Sequence, residues 1–266
     1  MSSFFWRNPL QQQVVLGLFR GLYDEQQARR VLDVGVCTGE NTLTYAMLLR
    51  DEYGEQWHER FPITAIDLDP RWIEQCRRGM YPPTRLYQMP RSYRARYVNE
   101  WQVRLAPYGA VREDIPARFM AIFKNTRLQD QITWIAQDFA TFADTGPYSL
   151  AFCQNTLLHL PAAQSAEFLC KLNSLLEPGG YLVCAGRNAS DYRTLHELGF
   201  EPVPHDIRAV YSEWIQRKNS KNPAIQLKDY DPADPLLAFK IGSVFRKGTE
   251  PRGPIKDNGH PEDIPA

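Results

Sequence analysis

The sequence predicts an α/β fold in which a mostly parallel sheet is flanked by helices, with a subdomain inserted around residues 80–130. Three observations support this prediction. Apolar, β-branched runs alternate with segments of helical apolar spacing, which is typical of a parallel sheet. A glycine-containing turn follows the first such run. A stretch of about fifty residues then interrupts the alternation, far longer than the usual connection of an α/β unit.

The first element is an amphipathic helix that leads into the first strand. The strand begins at Val31, breaks at Gly35 and Gly39, and opens into a helix over 42–49. Further strands are predicted at 63–67, 132–136, 148–154, 181–185 and 200–203, and further helices at 70–79, 161–176 and 192–198. The apolar face of the first helix carries Val14, Val15, Leu18, Phe19 and Leu22.

Other segments have weaker periodicity. Residues 112–130 fit a helix or short strands, and residues 207–214 fit a helical stripe or an extended segment. The remaining predictions are a turn at 177–180, a loop at 219–235, a final edge strand at 236–246, and a disordered tail from 247 that is rich in proline.

Composition bounds the class of protein. The chain has 266 residues, zero formal net charge and a pI near 7, so overall charge gives no argument for nucleic acid as a partner. No apolar run reaches the roughly 18 residues that span a bilayer, so no membrane insertion is expected. The N-terminal residues lack the pattern of a signal peptide. We expect a soluble cytoplasmic protein.

Cysteine and histidine spacing predicts no metal site. The five cysteines do not pair with one another or with a histidine at the spacing of zinc ligands, and the five histidines are scattered. Reduced structural thiols are the expected state. Cys37 is the one cysteine in the glycine-containing turn.

The turn after the first strand has the features of a ligand site. Gly35 and Gly39 remove side chains where the backbone must bend and approach a ligand. The helix that follows offers its free N–H groups to polar or anionic atoms. A nucleotide-like cofactor is therefore predicted.

Spacing narrows the choice of cofactor. A dinucleotide fingerprint needs a third glycine, but Thr42 stands where it would help, so NAD is the weaker interpretation. Asp67, at the end of the second predicted strand, can accept both hydroxyls of a ribose, which suits S-adenosylmethionine as well as NAD. The alternative is that Asp67 merely caps the helix that starts at Pro70.

The helix before the insert and the first part of the insert, residues 71–104, have a local excess of positive charge, with eight arginines against only Glu74 and Glu100. This excess could attract an acidic substrate, whereas the alternative is a solvated face. The arginines are Arg71, Arg77, Arg78, Arg85, Arg91, Arg94, Arg96 and Arg104.

Five polar residues and one glycine lie at or just past the ends of the predicted strands. In a parallel sheet these ends share one edge, where ligands bind. The residues are Asp33, Gly35, Glu40, Asp67, Asp138 and Asn155.

Several motifs match one family in the same order, so that from residue 3 to 186 the chain resembles the CheR-type chemotaxis receptor methyltransferases. The motifs are Ser3-Phe4-Phe5-Trp6-Arg7, Thr38-Gly39-Glu40, Ala65-Ile66-Asp67-Leu68-Asp69, Phe152-Cys153-Gln154-Asn155 and Glu177-Pro178-Gly179-Gly180-Tyr181-Leu182. Two departures stand out. The family's usual Cys-Arg-Asn is Cys153-Gln154-Asn155 here, and His159 replaces an expected tyrosine.

The resemblance implies a class I methyltransferase (Rossmann-like) fold. We expect the methyltransferase domain to span residues 1–246, with a disordered tail over 247–266. The resemblance also implies S-adenosylmethionine as cofactor and methyl esterification of glutamate side chains on a receptor. The cofactor-binding turn that the resemblance implies contains Gly35 and Thr38. By residue-wise match, Ser3 and Arg7 would lie near the methionine part and the reacting centre, Glu40 at the methionine end, Asp67 at the ribose, Asp138 and Phe139 at the adenine, and Gln154 with Asn155 on the floor of the site.

The nucleophile decides whether a catalytic base is needed. A carboxylate, with an ordinary pKa near 4.3, is ionised at neutral pH and needs none. Arg7 could then hold an acidic acceptor, either a protein glutamate or a small-molecule carboxylate, by a charge-assisted hydrogen bond. The alternative for Arg7 is a cation that lies beside an aromatic core plug.

Two other functions stay open. A hydroxyl or amine nucleophile would need a base, for which His159 is the candidate, and the protein would then be a small-molecule or natural-product methyltransferase. His159 could instead only cap or pack against the helix at Pro161. The third hypothesis is a regulatory module that binds S-adenosylmethionine without catalysis.

Overall fold

The computed structural model describes residues 5–6, 9–103, 118–123, 127–154, 156–185, 189–203 and 243–250. Short 3₁₀ helices lie at Pro83–Arg85, Phe139–Thr141 and Leu157–His159. In chain order the other elements are α1 (Pro9–Leu22), β1 (Val31–Val34), α2 (Glu40–Tyr53), α3 (Trp57–Arg60), β2 (Ile63–Asp67), α4 (Pro70–Arg78), β3 (Met80–Tyr81), α5 (Arg91–Tyr97), β4 (Val98–Val103), β5 (Arg118–Phe123), α6 (Arg127–Asp130), β6 (Thr133–Ala136), β7 (Tyr148–Cys153), α7 (Ala162–Leu175), β8 (Leu176–Cys184), α8 (Ala189–Glu197), β9 (Phe200–Pro202) and β10 (Ser243–Lys247).

The main sheet has the strand order β6-β2-β1-β7-β8-β10-β9. The first five strands in this order are parallel to one another, whereas β10 runs antiparallel to both β8 and β9. The predicted α/β class with a mostly parallel sheet is therefore confirmed. The carboxyl ends of β6, β2, β1 and β7 lie along one edge of the sheet.

Helices cover both faces of the main sheet. On one face, Phe19 of α1, Leu43 of α2 and Ile73 of α4 belong to one buried cluster. On the other face, Leu169 of α7 and Leu195 of α8 belong to a second. β1 lies between these layers, and all four of its residues are buried, which explains why its sequence lacks the alternation of a half-exposed strand.

The inserted stretch forms a second, three-stranded antiparallel sheet in the order β3-β5-β4. For residues 112–130 the sequence fits a helix or short strands. The structure has a strand, β5, at 118–123 and a helical turn, α6, at 127–130. Tyr81, at the end of β3, is buried, and its hydroxyl donates to the carbonyl of Thr38 at 2.7 Å. The insert is thereby joined to the turn after β1.

Two predictions near the C-terminal strands were wrong, namely a separate turn at 177–180 and an edge position for the final strand. Residues 177–180 form part of β8 rather than a separate turn, because a bulge opposite Tyr148 and Leu150 absorbs them within the strand. The predicted edge strand at 236–246 is described only from Ser243, where β10 lies between β8 and β9 and continues to Lys247. Val244 and Phe245 are both buried because they pack into the two clusters on opposite faces of the sheet.

Several predictions fall on residues outside the described ranges. They concern residues 207–214, the loop at 219–235, and the tail beyond residue 250. The division into a domain over 1–246 and a tail over 247–266 stays a prediction.

Candidate functional site

The turn between β1 and α2 is built from residues with positive φ. Gly35, Cys37 and Gly39 have φ values of 76°, 52° and 78°. The N–H of Gly35 donates to the carbonyl of Ile66 at 2.8 Å, and the N–H of Gly39 donates to Val36 at 2.9 Å. These bonds turn the chain sharply, so that α2 starts at Glu40, two residues before the predicted start.

Protein side chains occupy the space beside both glycines. A Cβ on Gly35 would lie 2.3 Å from Oγ1 of Thr156, and a Cβ on Gly39 would lie 2.6 Å from Sγ of Cys76. Thr156 is fixed in turn, because its hydroxyl donates to the carbonyl of Val34 at 2.9 Å. Glycine is therefore needed at Gly35 for both backbone conformation and space.

Asp67 ties the end of β2 to this turn. Its Oδ2 accepts from the N–H of Cys37 at 2.7 Å, and its Oδ1 accepts from the N–H of Asp69 at 3.0 Å. The alternative in which Asp67 caps the next helix was wrong, because the N-cap of α4 is Asp69, which accepts from the N–H of Arg71. Each carboxylate oxygen of Asp67 keeps a second lone pair for a ligand.

Glu40 is a buried carboxylate at the first residue of α2. Its side chain has no exposed surface, and its Oε2 accepts from the hydroxyl of Thr38 at 2.6 Å. Its Oε1 has no hydrogen-bond partner and lies 3.8 Å from Nε of Arg85. The N-terminal end of the helix favours this negative charge, but a buried carboxylate oxygen still needs a donor.

Asp33 is a second buried acid, beneath the turn. Its Oδ2 accepts from the hydroxyl of Thr42 at 2.7 Å. Burial raises the pKa of this carboxyl to about 7, and the negative charge of Asp67 also raises it. The edge of the sheet therefore concentrates acidic groups, which suits a ligand that carries positive charge.

The end of β7 also belongs to this edge of the sheet. Gln154 follows β7, and its amide donates to Oε1 of the buried Gln11 at 2.9 Å, which links the edge to α1. Sequence reasoning missed Gln11, since its position on the buried side of α1 was the only available signal. His159 ends the 3₁₀ helix after β7 with an exposed side chain.

Asp138 and Phe139 follow the end of β6. Asp138 is exposed, and its Oδ1 accepts from the N–H of Ala140 at 2.9 Å. Phe139 is buried, with its ring centroid 4.7 Å from that of Phe168. Leu68, directly after Asp67, is 70% exposed, and sequence reasoning did not single it out.

Three predicted site residues, Ser3, Arg7 and Asn155, lie outside the described residues. The neighbouring Phe5 and Trp6 are buried, which agrees with the alternative of an aromatic core plug. Phe5 contacts Tyr81 edge-on at 5.0 Å between centroids.

Acids outside the basic stretch neutralise part of its charge. Arg71 pairs with Asp69, and Arg96 pairs with Asp51 at 2.5 Å. Within the described ranges, no cluster of His, Cys, Asp and Glu side chains could hold a metal ion. None of the helices described there combines the length and the apolar character that crossing a bilayer would require.

A protein-family model described as "CheR methyltransferase, SAM binding domain" matches residues 1–190. A chemotaxis protein methyltransferase of Borreliella burgdorferi is 27% identical over 164 residues, which cover 61% of this chain and 53% of the relative. Chemotaxis protein methyltransferase 2 of Pseudomonas aeruginosa is 24% identical over 206 residues, which cover 77% and 66%. The chain thus spans only about half to two thirds of these relatives.

Among solved structures, the N-methyltransferase NodS from Bradyrhizobium japonicum WM9 is similar to 91% of this chain and 98% of its own. Its sequence identity is 16% and its TM-score is 0.44.

The close contact at Gly35 predicts a large effect of a single added methyl group. Gly179 has a similar φ of 80°, but the nearest atom to an added Cβ is 3.7 Å away, so G179A is a matched control. Both variants incur backbone strain, and G35A must also displace Thr156. We expect denaturant unfolding to show G35A about 1–3 kcal/mol less stable than G179A. Equal losses would contradict the steric role of Thr156.

Asp33 predicts a pH dependence of stability. Because burial raises its folded pKa from 3.8 to about 7, the folded state binds more protons than the unfolded state between these values. The contribution of Asp33 to the free energy of unfolding therefore falls as pH rises through this range. We expect D33N to gain stability relative to the wild type between about pH 4 and about pH 8, measured by denaturant unfolding.

The matched control for this prediction is D130N, which makes the same change at an exposed acid at the end of α6. It should follow the wild-type pH profile. Parallel profiles for D33N and the wild type would show that Asp33 does not titrate in this range.

Proposed function

Because the chain belongs to the CheR methyltransferase family through its SAM-binding domain, we propose that it transfers a methyl group from S-adenosylmethionine to a glutamate carboxylate of a partner protein. The observation that carries the proposal is the turn after β1. There, Asp67 accepts from the backbone of Cys37, and the buried Glu40 leaves one oxygen without a hydrogen-bond donor.

The residues at this edge fit the chemical groups of the cofactor. The unpartnered oxygen of Glu40 suits the ammonium group at the methionine end, and the lone pairs left on Asp67 suit the ribose hydroxyls. Asp138, Phe139 and the exposed Leu68 would line the adenine side. Thr38 would keep Glu40 oriented, since its hydroxyl already donates to that carboxylate.

The remaining assignments rest on the family resemblance. Ser3 and Arg7 would lie near the methionine part and the reacting centre. Gln154 and Asn155 would form the floor of the site, and the hydrogen bond that the side-chain amide of Gln154 donates to Gln11 would fix the orientation of Gln154.

The reaction asks little proton chemistry of the protein. When bound, the cofactor supplies a methyl group on a positively charged sulfur. A glutamate acceptor is ionised at neutral pH, so this chain need only bind the two reactants, orient them and exclude water. Arg7 would hold the incoming carboxylate by a charge-assisted hydrogen bond. His159 would then have no role as a base.

The function is tested with methyl-labelled S-adenosylmethionine and a whole extract of the source organism, which is separated after the reaction into proteins and small metabolites. We expect label on a protein that mild base releases as methanol, because carboxyl methyl esters hydrolyse readily. Label confined to small metabolites would overturn the protein acceptor in favour of a small-molecule methyltransferase. Binding without any transfer would favour the regulatory module.

The ribose assignment is tested at Asp67. D67A should weaken binding of S-adenosylhomocysteine, measured by calorimetry, by about 1.5–3 kcal/mol, the scale of hydrogen bonds to a charged group. D69A is the control, since it removes the cap of α4 and leaves the bond to Cys37 in place. If D69A weakens binding as much as D67A does, the loss reflects the loop alone and the ribose role is wrong.

A further inference from the structure

Arg85 brings a positive charge from the insert to the buried carboxylate of Glu40. It is the last residue of the 3₁₀ helix Pro83–Arg85, and its side chain is 26% exposed. The arginine lies in the basic stretch that the sequence marks as a place for acidic groups. Unlike Arg71 and Arg96, which pair with acids at 2.6 Å and 2.5 Å, it lies against an acid at the sheet edge.

The backbone that carries Arg85 is anchored on both sides. Before it, the hydroxyl of Tyr81 donates to the carbonyl of Thr38, and after it Leu86 is buried in the core. The carbonyl of Arg85 itself accepts from the N–H of Phe5 at 3.3 Å. These contacts do not involve the guanidinium, so replacing that group leaves the anchors in place.

The spacing of the two charges leaves Glu40 incompletely satisfied. Nε of Arg85 lies 3.8 Å from Oε1 of Glu40, which is an ion pair but beyond hydrogen-bond distance. Oε1 is buried and has no hydrogen-bond donor. A hydrogen-bond donor that carries positive charge can therefore satisfy Oε1 of Glu40. Such a group adds a second cation beside Arg85, so an anion next to the guanidinium is needed to balance the added charge.

We propose that Glu40 and Arg85 together recognise the zwitterionic amino-acid end of the cofactor. The ammonium group donates to Oε1 of Glu40, and the carboxylate on the same carbon accepts from the guanidinium of Arg85. Oε1 of Glu40 then gains a hydrogen-bond donor, and the ligand carboxylate lies against a cation, which offsets the cost of desolvating both charges of the ligand. This inference rests on the cofactor assignment of the proposed function and extends it to a residue of the insert.

Calorimetry with two ligands tests the carboxylate contact. S-adenosylhomocysteine carries both charged groups, whereas its decarboxylated analogue keeps only the ammonium group. We expect R85Q to weaken binding of S-adenosylhomocysteine about tenfold to a hundredfold, as loss of a charge-assisted hydrogen bond does. Binding of the decarboxylated analogue should stay within about twofold of wild type, and R85K should restore part of the loss.

R78Q is the matched control, because it removes the same charge from an exposed arginine that pairs with Glu74. It should leave the affinity for both ligands unchanged. Equal losses of both ligands in R85Q would show a structural role and overturn the proposal, as would unchanged affinity for S-adenosylhomocysteine. If the wild type binds neither ligand, the cofactor assignment itself fails, which is a different result.

Discussion

The candidate site depends on the hydrogen bonds that join the end of β2 to the turn after β1. Asp67 accepts from the N–H of Cys37, while the carbonyl of Ile66 accepts from the N–H of Gly35. Residues with positive φ are costly unless the surroundings hold them, and these bonds do so at Cys37. The start of α2, and with it the position of Glu40, follows from this constraint.

The charges around this turn are unbalanced. Asp33 and Glu40 are buried, and Asp67 is half-buried, whereas Arg85 is the cation that the structure brings against Glu40. The two buried acids have different surroundings. Burial raises the pKa of Asp33, whereas the negative charge of Glu40 lies next to the N-terminus of α2, the hydroxyl of Thr38 and the guanidinium of Arg85. An edge with this excess of acid is suited to a cationic ligand, and S-adenosylmethionine carries positive charge at both its sulfur and its ammonium group.

Local signals explain why several elements could be predicted closely. Strand β2 has the predicted bounds, because a β-branched run ends at Asp67 before an Asp-Pro pair that caps the next helix. Gly79, with a φ of 59°, ends that helix. The position of β10 could not be predicted, because the pattern of a strand does not reveal which strands will flank it.

The sequence by itself determined the α/β class, the glycine turn, the acid at the end of β2 and the family, because each is encoded in residue types at short spacing. The tertiary structure decided which distant groups meet. Arg85 reaches Glu40, and Gln11 reaches Gln154, through folding of segments that lie far apart in the chain. It also decided that Asp69 rather than Asp67 caps α4, since both are plausible caps until the backbone geometry selects one. Burial, which raises the pKa of Asp33, depends on the packed core and is not written in any single stretch of the chain.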